Sequence, residues 1–243
     1  MIFKKVINFL YLNFPNVYIF LKKNIKKEIN FPINAHIFFK KNLNKNAMIV
    51  EAGAADGWDT LFFAKEFPNS SIYSLEPVDR LYETLSEKTS NFTNVRTFKL
   101  AFDYKSGNAE INIPNLDSVY YGASSLFLPD EVLNQHPDID FSKKENVQTI
   151  TFDDFLINQN INKVDLLWLD LQGKEPDVLL SSEKINLVKY IYTEVSIVSN
   201  YKNQKLYPQL KEYLTDNNFK VIFEDIRWED GGNVLFKNKK FLP

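Results

Sequence analysis

The chain has 243 residues, a net charge of −2 and no cysteine. This length fits one ordinary domain with a short extension, and no nucleic-acid partner is expected, because nucleic-acid-binding domains are usually basic. The lack of cysteine excludes disulfides, thiolate metal ligands and a cysteine nucleophile, and we expect a cytoplasmic protein.

The first 30 residues differ from the rest of the chain in charge. They hold six lysines and one glutamate, which leaves −7 for the remainder. Lysine, asparagine and Pro15 interrupt their apolar residues, whereas a transmembrane helix needs about 20 continuous apolar residues. Two interpretations stay open: a helix that packs on the domain, or an amphipathic segment in peripheral contact with an anionic membrane. We predict a helical extension over residues 1–46 and a domain over residues 47–243.

From residue 47 onward, strand-like apolar runs alternate with helix-like runs. Strands are predicted at residues 47–52, 71–75, 95–102, 108–113, 147–152, 164–169, 189–195, 219–224 and 233–237. Helices are predicted at residues 59–67, 79–88, 153–158, 174–181 and 207–214. The stretch 114–146 is long, polar and rich in turn residues, which is typical of a functional or mobile loop.

This alternation predicts an α/β fold, in which helices cover both faces of a mostly parallel, seven-stranded sheet. The turn at residues 230–232 (DGG) is too short for a parallel crossover, so the last two strands should pair antiparallel. Ligands of such sheets bind beyond the carboxyl ends of the strands. The candidate site residues are therefore expected at those ends.

The first strand ends in a loop with the sequence EAGAADG at residues 51–57. Gly53 can adopt a positive φ angle and lets a ligand approach the backbone. The free N–H groups of the following helix suit a carboxylate, and Glu51 suits an ammonium group. A charged, amino-acid-like part of a ligand is therefore predicted to contact Glu51, Ala52, Gly53, Ala54, Asp56 and Gly57.

The next two strand ends add the features of an adenosine site. Glu76, followed by Pro77, is placed to accept hydrogen bonds from both ribose hydroxyls. Asp103 is placed to accept the adenine amino group, with Phe102 beside the ring. Adenosine with a short charged tail is S-adenosylmethionine, and we predict that these residues bind it.

A dinucleotide is the alternative ligand, which would make the protein an NAD(P)-dependent oxidoreductase. Its G-x-G-x-x-G fingerprint lacks the second glycine here, because Ala55 occupies that position. Tyr201 and Lys205 have the Y-x-x-x-K spacing of short-chain dehydrogenases, but Asp59 stands where those enzymes need another glycine. We interpret the Tyr/Lys pair as chance.

Six segments in order resemble FkbM-type methyltransferases over about residues 47–237. They are VEAGAADG at 50–57, LEP at 75–77, SSL at 124–126, TITFDDF at 149–155, LDLQGKE at 169–175 and YTE at 192–194. The resemblance implies a class I (Rossmann-like) methyltransferase fold, with S-adenosylmethionine as methyl donor and a sugar or small-metabolite hydroxyl as acceptor. The family often has Glu where this chain has Gln172. A cofactor-binding module that has lost catalysis therefore remains a further alternative.

Methyl transfer to a hydroxyl needs alignment of the reactants and a base that removes the proton. We predict that Asp170 is this base or a substrate anchor, and that Glu175 and Glu194 orient it or the acceptor. The sequence leaves a divalent metal at Asp170 open and does not determine the oligomeric state. The residues predicted to bind the acceptor are Tyr121, Ser124, Ser125 and Gln172.

Overall fold

A computed structural model describes residues 33–114, 124–129, 141–226 and 230–241. The chain divides into two units, Met1–Lys41 and Asn42–Pro243. Helix α1 (Ile33–Asn42) lies almost wholly in the first unit. Residues 1–30, with their predicted membrane contact, lie outside the described residues, and the predicted boundary at residue 46 stays a prediction. No helix of the described residues is long and apolar enough to cross a membrane.

The second unit alternates strands and helices, as the sequence predicts. In chain order its elements are β1 (Met48–Ala52), α2 (Trp58–Glu66), β2 (Ser71–Leu75), α3 (Asp79–Thr89), β3 (Val95–Phe98), β4 (Ala101–Phe102), β5 (Gly107–Ile113), β6 (Lys143–Ile150), α4 (Phe152–Asn158), β7 (Val164–Leu169), α5 (Glu175–Leu180), β8 (Val188–Ser196), α6 (Tyr207–Asp216), β9 (Phe219–Ile226) and β10 (Gly231–Asn238). Short 3₁₀ turns follow α5 and β10 at Ile185–Leu187 and Lys239–Phe241.

Seven strands form the main sheet, in the order β3-β2-β1-β7-β8-β10-β9. Neighbouring strands from β3 to β8 are parallel, and β10 runs antiparallel to both β8 and β9. The order reverses beside β1, which creates a switch point where ligands of doubly wound sheets bind. This arrangement confirms the predicted class I methyltransferase fold, including its single antiparallel strand.

Helices cover both faces of the main sheet. Tyr73 of β2 and Trp168 of β7 pair with successive residues of β1, so they point to opposite faces. The ring of Phe155 in α4 lies 6.2 Å from that of Tyr73, and the ring of Phe63 in α2 lies 5.3 Å from that of Trp168. The aromatic contacts therefore confirm that α4 and α2 pack on opposite faces.

The third predicted strand, residues 95–102, is wrong in its extent. Its main-sheet part ends at Phe98, whose carbonyl accepts a hydrogen bond from the Glu76 N–H. Ala101 and Phe102 instead pair with β6 in a separate three-stranded sheet of order β4-β6-β5. The chain thus changes sheets beside the edge of the main sheet, within the segment predicted to contact adenine.

The last strand begins earlier than predicted, at Gly231 rather than at residue 233. The two glycines that indicated a turn lie inside β10. Neighbouring backbones leave no room for a side chain at either position, so glycine is needed there. A Cβ atom would lie 2.2 Å from the Val195 carbonyl oxygen at Gly231, and 2.1 Å from the Asp225 carbonyl oxygen at Gly232. Close approach of strands is a second use of glycine, besides the turn.

Candidate functional site

The loop between β1 and α2 is held against the ends of two neighbouring strands. The N–H groups of Gly53 and Ala54 both donate to the carbonyl oxygen of Leu75, at 3.0 Å each. Gly53 has a φ angle of +79°, and a Cβ atom there would lie 1.7 Å from the carbonyl oxygen of Asp170. Only glycine fits this position, because both the backbone angle and the closeness of β7 exclude a side chain.

Glu76 fastens this loop to the end of β2. Its two carboxylate oxygens accept backbone N–H groups from Ala55, at 2.8 Å, and from Val78, at 2.9 Å. The side chain is almost fully buried, and this burial raises the pKa of Glu76 to about 7. A ligand hydroxyl that donates to this carboxylate would offset part of the cost of burying its charge.

One cavity joins the carboxyl ends of β1, β2, β4 and β7. Five of the predicted cofactor and catalytic residues line it: Gly53, Glu76, Pro77, Phe102 and Asp170. The apolar part of its wall was not among the predicted site residues. It consists of Ala55, Leu81, Leu100, Ala101, Ile111, Leu126 and Leu171. An acidic floor between apolar walls suits a nucleoside, whose base is flat and whose ribose carries hydroxyl donors.

Ser124 also lines this cavity, although the sequence analysis predicted that it contacts the acceptor. Its hydroxyl oxygen is buried and has no hydrogen-bond partner among the described residues. A buried hydroxyl without a partner is costly, so the cavity offers a polar ligand one more hydrogen bond. Ser124 therefore shares a cavity with Glu76, and its predicted contact with the acceptor stays a prediction.

Glu51 lies outside the cavity lining, in the interior of the sheet. Its carboxyl group accepts hydrogen bonds from the hydroxyls of Thr60, at 2.5 Å, and Ser74, at 2.7 Å. Burial and, secondarily, the nearby charge of Asp59 raise the pKa of Glu51 to about 8. The described contacts of Glu51 join β1, α2 and β2, and none of them reaches the cavity.

Other predicted cofactor residues also lie outside the lining. Asp56 forms an ion pair with Lys88 at 2.6 Å, and Gly57 is the left-handed N-cap of α2, packed against Leu85. Ala52 and Ala54 are buried in and after β1. These residues shape the loop, and their predicted contacts with a cofactor stay predictions.

Lys174 is a buried residue of the cavity wall that the sequence analysis missed. Its ammonium group lies 3.2 Å from carboxylate oxygens of Asp103 and of Asp177, and 4.2 Å from the ring centre of Phe127. Asp103, predicted to bind adenine, is therefore paired with a lysine and does not line the cavity. Only the tertiary structure reveals the pair, because 71 positions separate its members.

The three predicted catalytic acids come together at the carboxyl ends of β7 and β8. One carboxylate oxygen from each of Asp170, Glu175 and Glu194 lies within 4.8 Å of the others. Both oxygens of Glu175 accept backbone N–H groups, from Leu171 at 2.5 Å and from Gly173 at 3.0 Å. Glu175 therefore holds the turn between β7 and α5, while Asp170 faces the cavity.

The electrostatics of the cluster follow from burying several acids together. Burial, followed by the charge of Asp170, raises the pKa of Glu175 to about 8. Burial and the same charge raise the pKa of Glu194 well above its usual range. The Asp170 side chain is exposed at the cavity, yet the surrounding protein desolvates its carboxyl group and raises its pKa, although hydrogen bonds from Gln172 and Glu194 favour its charged form. The hydrogen bond between the two carboxyl groups thus lowers the pKa of Asp170 and raises that of Glu194.

The cluster is organised around proton donors rather than around a cation. The Gln172 amide nitrogen donates to Asp170 Oδ1 at 2.7 Å and to Glu194 Oε2 at 2.9 Å. Oxygen ligands of a divalent ion turn their lone pairs to the ion, whereas here two of the three acids share one amide. As arranged, two of the three acids are joined through one amide, and the proposed chemistry uses no metal ion.

The remaining residues predicted to bind the acceptor have different positions. Ser125 is buried, and its hydroxyl donates to the Gln172 carbonyl oxygen at 2.8 Å. Its backbone pairs with Asn112 of β5, so Ser125 supports the turn that carries Gln172. Tyr121 lies outside the described residues, and its predicted role stays a prediction.

The Tyr201 and Lys205 pair does not have the environment of a dehydrogenase dyad. Tyr201 is only 4% exposed, and burial, with several nearby acids, raises its pKa. The ammonium group of Lys205 pairs with Asp177 rather than with the tyrosine. Neither partner lines the cavity that holds Glu76, which agrees with the interpretation of this spacing as chance.

Comparisons with known proteins show a methyltransferase family. The family profile described as "Methyltransferase FkbM domain" matches residues 51–221. The 2-O-methyltransferase NoeI of Sinorhizobium fredii is 25% identical over 213 residues, which are 86% of each chain. Methyltransferase sdnD of Sordaria araneosa is 22% identical, over 79% of this chain and 81% of the relative. A putative rRNA-methylase structure from Clostridium thermocellum has a TM-score of 0.49 at 15% identity, covering 87% of this chain and 97% of that one.

Proposed function

This chain belongs to the FkbM methyltransferase family, and from that premise we propose that it methylates a hydroxyl oxygen of a sugar or another small metabolite. S-adenosylmethionine supplies the methyl group, which it carries on a positively charged sulfur. The observation that carries the proposal is Asp170, because it joins the donor cavity to a cluster of acids.

The donor half of the proposal assigns cavity residues to parts of the cofactor. Glu76 accepts the ribose hydroxyls, and the apolar wall around Phe102 and Leu81 holds the adenine ring. The buried Ser124 hydroxyl adds a hydrogen bond. The loop at Gly53 lies against Asp170, so the methionine part binds beside the proposed base.

The chemical step of the proposal transfers the hydroxyl proton of the acceptor to Asp170. As the acceptor oxygen forms its bond to the methyl carbon, the carbon–sulfur bond breaks and its electron pair stays on sulfur. The hydroxyl proton passes to the Asp170 carboxylate, which general-base catalysis requires to be ionised. Glu194 and Gln172, both hydrogen-bonded to Asp170, keep this carboxylate turned toward the cavity.

The acceptor half rests on the relatives and on the position of the cluster. One relative is named a 2-O-methyltransferase, and an enzyme of that name methylates an oxygen atom. A protonated hydroxyl is a weak nucleophile, and an acid cluster beside the methyl position supplies the base it needs. Nitrogen acceptors are more basic than a hydroxyl and therefore depend less on a catalytic base.

The proposal is tested by transfer of labelled methyl from S-adenosylmethionine to a panel of methyl glycosides and hydroxylated small molecules. Total RNA serves as the contrasting acceptor. We expect label in a methyl ether, identified by NMR of the product. Label on nitrogen, on carbon or in RNA would contradict the proposal.

Asp170→Asn tests the base with little change in shape. Loss of the carboxylate base in this variant should lower kcat by about 10²–10⁴-fold, the usual contribution of a general base. Affinity for S-adenosylhomocysteine, measured by calorimetry, should change by no more than a few-fold. Turnover that survives in the variant would show that Asp170 is not the base.

Chelation tests the interpretation that proton donors, and not a cation, organise the acids. Activity should persist in EDTA after prolonged dialysis, because Gln172 already bridges two of the three carboxyl groups. Loss of activity that Mg²⁺ or Mn²⁺ restores would overturn this interpretation.

A further inference from the structure

Gln172 connects the ends of two neighbouring strands through a single nitrogen atom. β7 and β8 run parallel, and Asp170 and Glu194 stand at their carboxyl ends. The Gln172 Nε2 atom lies 2.7 Å from Asp170 Oδ1 and 2.9 Å from Glu194 Oε2. Both hydrogens of the amide are thereby used, one on each carboxyl group.

The backbone of Gln172 is fixed from two sides. Gln172 and Gly173 both have positive φ angles, +51° and +98°, a conformation that is strained for a residue other than glycine. The Ser125 hydroxyl donates to the Gln172 carbonyl oxygen at 2.8 Å. Behind Gly173, the Gln204 amide leaves no room for a side chain. A strained turn held in this way directs its side chain to one place.

The bridge uses the chemistry of an amide. An amide nitrogen offers two hydrogens at any pH, whereas a carboxyl group offers one when protonated and none when ionised. A thioether offers none. Among uncharged side chains of this length, glutamine is therefore the one that donates to two carboxyl groups at once through one atom.

We propose that Gln172 is a positioning residue, which orients the Asp170 carboxylate toward the acceptor and favours its ionised form by tying it to Glu194. This inference rests on the proposed role of Asp170 as the base. It moves Gln172 from predicted acceptor contact to support of the base. Gln172 lines no part of the donor cavity, so its replacement should leave cofactor affinity intact.

The charged groups around Asp170 determine how strongly its ionised form is disfavoured. Four acids interact with Asp170 through their charge and disfavour its ionisation: Asp59 of α2, Glu76 after β2, Glu175 of α5 and Glu194 of β8. Asp230, before β10, acts on Glu194, and Lys174 lines the same cavity as Asp170. The buried phenols of Tyr192 and Tyr201 also face the cluster. Gln172 is thus a donor within a ring of acids.

The test replaces Gln172 by Met, which removes both donors, and by Glu, which adds a further acid. Gln148 on β6 is exposed and distant in the chain from the cluster, so Gln148→Met and Gln148→Glu are the matched controls. Two readouts apply: kcat/KM against pH with the hydroxyl acceptor that the methyl-transfer panel identifies, and the carboxyl ¹³C titration of Asp and Glu in the S-adenosylhomocysteine complex.

For Gln172→Met we expect at least a tenfold lower kcat at neutral pH and an acid limb moved to higher pH. The sign follows because the lost hydrogen bond favoured charged Asp170, so its loss raises the pKa at which the base ionises. Gln172→Glu should move the limb further. Affinity for S-adenosylhomocysteine should stay within about twofold, and the ¹³C midpoints should move in the same direction in both variants.

An unshifted pH profile and unshifted ¹³C midpoints in Gln172→Met would overturn the inference, even with a lower kcat, since a merely structural role would give that result. Shifts of equal size in the Gln148 variants would overturn it as well. Failure of the base itself is separate, because an active Asp170→Asn enzyme contradicts the proposed function whatever Gln172 does.

Discussion

At the scale of single residues, the same carboxyl group serves different ends according to what surrounds it. Glu51 lies near the carboxyl end of β1, Glu76 follows β2 directly, and both are buried. Glu51 receives hydroxyl donors from α2 and β2, whereas Glu76 receives two backbone N–H groups and still faces the cavity. The position of a carboxyl group in a motif therefore does not determine whether a ligand reaches it.

Glu76→Gln should weaken S-adenosylhomocysteine binding by about 1–3 kcal/mol, the usual cost of losing a hydrogen bond to a charged group. The amide has one oxygen for the two N–H groups of Ala55 and Val78, so one of the two hydrogen bonds that hold the loop is weakened or lost as well. Because the pKa of Glu76 is about 7, wild-type affinity should rise with pH through 7, and this rise should vanish in the variant. Titration calorimetry between pH 5.5 and 8.5 measures both effects.

Glu87→Gln is the control for Glu76→Gln, since Glu87 is an exposed acid on α3. NADH provides a second comparison in the same calorimeter. Equal affinity of wild type and Glu76→Gln at every pH would show that Glu76 does not hold the ribose. Tight NADH binding without S-adenosylhomocysteine binding would contradict the donor assignment altogether.

At the scale of elements, the site depends on how closely β1 and β7 approach at their carboxyl ends. The loop after β1 folds back to Leu75 and passes against the backbone of Asp170. This approach brings the donor loop and the proposed base within reach of one ligand. In the proposed function, the closeness of the two strand ends therefore couples cofactor binding to catalysis.

Gly53→Ala should damage both stability and cofactor binding. Positive φ alone costs about 1–3 kcal/mol, and the added Cβ would lie 1.7 Å from the Asp170 carbonyl oxygen, so β1 and β7 must separate. We expect a lower urea midpoint and at least a tenfold weaker affinity for S-adenosylhomocysteine, measured by calorimetry on the folded fraction.

Gly107→Ala separates the two causes. Gly107 also has a positive φ, +150°, but a Cβ atom there would meet nothing within 4 Å. This variant should lose stability through the backbone angle alone and keep its cofactor affinity. If both variants behaved alike, the approach of β1 to β7 would not be what constrains the loop.

At the scale of the whole molecule, the buried acids make stability depend on pH. The pKa values of Glu51 and Glu175 rise to about 8, from 4.5 for an exposed glutamate. The folded state therefore keeps protons that the unfolded state has released, so stability falls as pH rises. The loss should extend from about pH 4.5 to about pH 8 and level off above that.

Glu51→Gln should reduce this pH dependence. The amide oxygen still accepts from Thr60 and Ser74, and no charge has to be buried at high pH. We expect a higher Tm than wild type at pH 8–9, by about 2–4 °C for each kcal/mol gained in a chain of this size, and little change at pH 5. Calorimetric scans with Glu87→Gln as control check it, and a wild-type Tm that rises from pH 5 to pH 8 would contradict the assignment.

Most of the fold is predictable from the sequence, because local patterns carry it. The buried runs of β1 and β7, and the alternation of strands with helices, predicted the parallel sheet and its single antiparallel strand. The break after Phe98 and the early start of β10 were not predictable. Both depend on which backbone lies alongside, and residues far away in the chain decide that.

The sequence by itself predicted a site at the loop after β1, the acid after β2 and the three acids near the ends of β7 and β8, because strand ends in a parallel sheet all meet at one edge. Only the tertiary structure showed that Glu51 faces inward, that Lys174 pairs with Asp103, that Ser124 lines the donor cavity and that Gln172 bridges two acids. Each of these contacts joins side chains from different elements. Their distances are set by how strands and loops pack, and no pattern along a single segment records them.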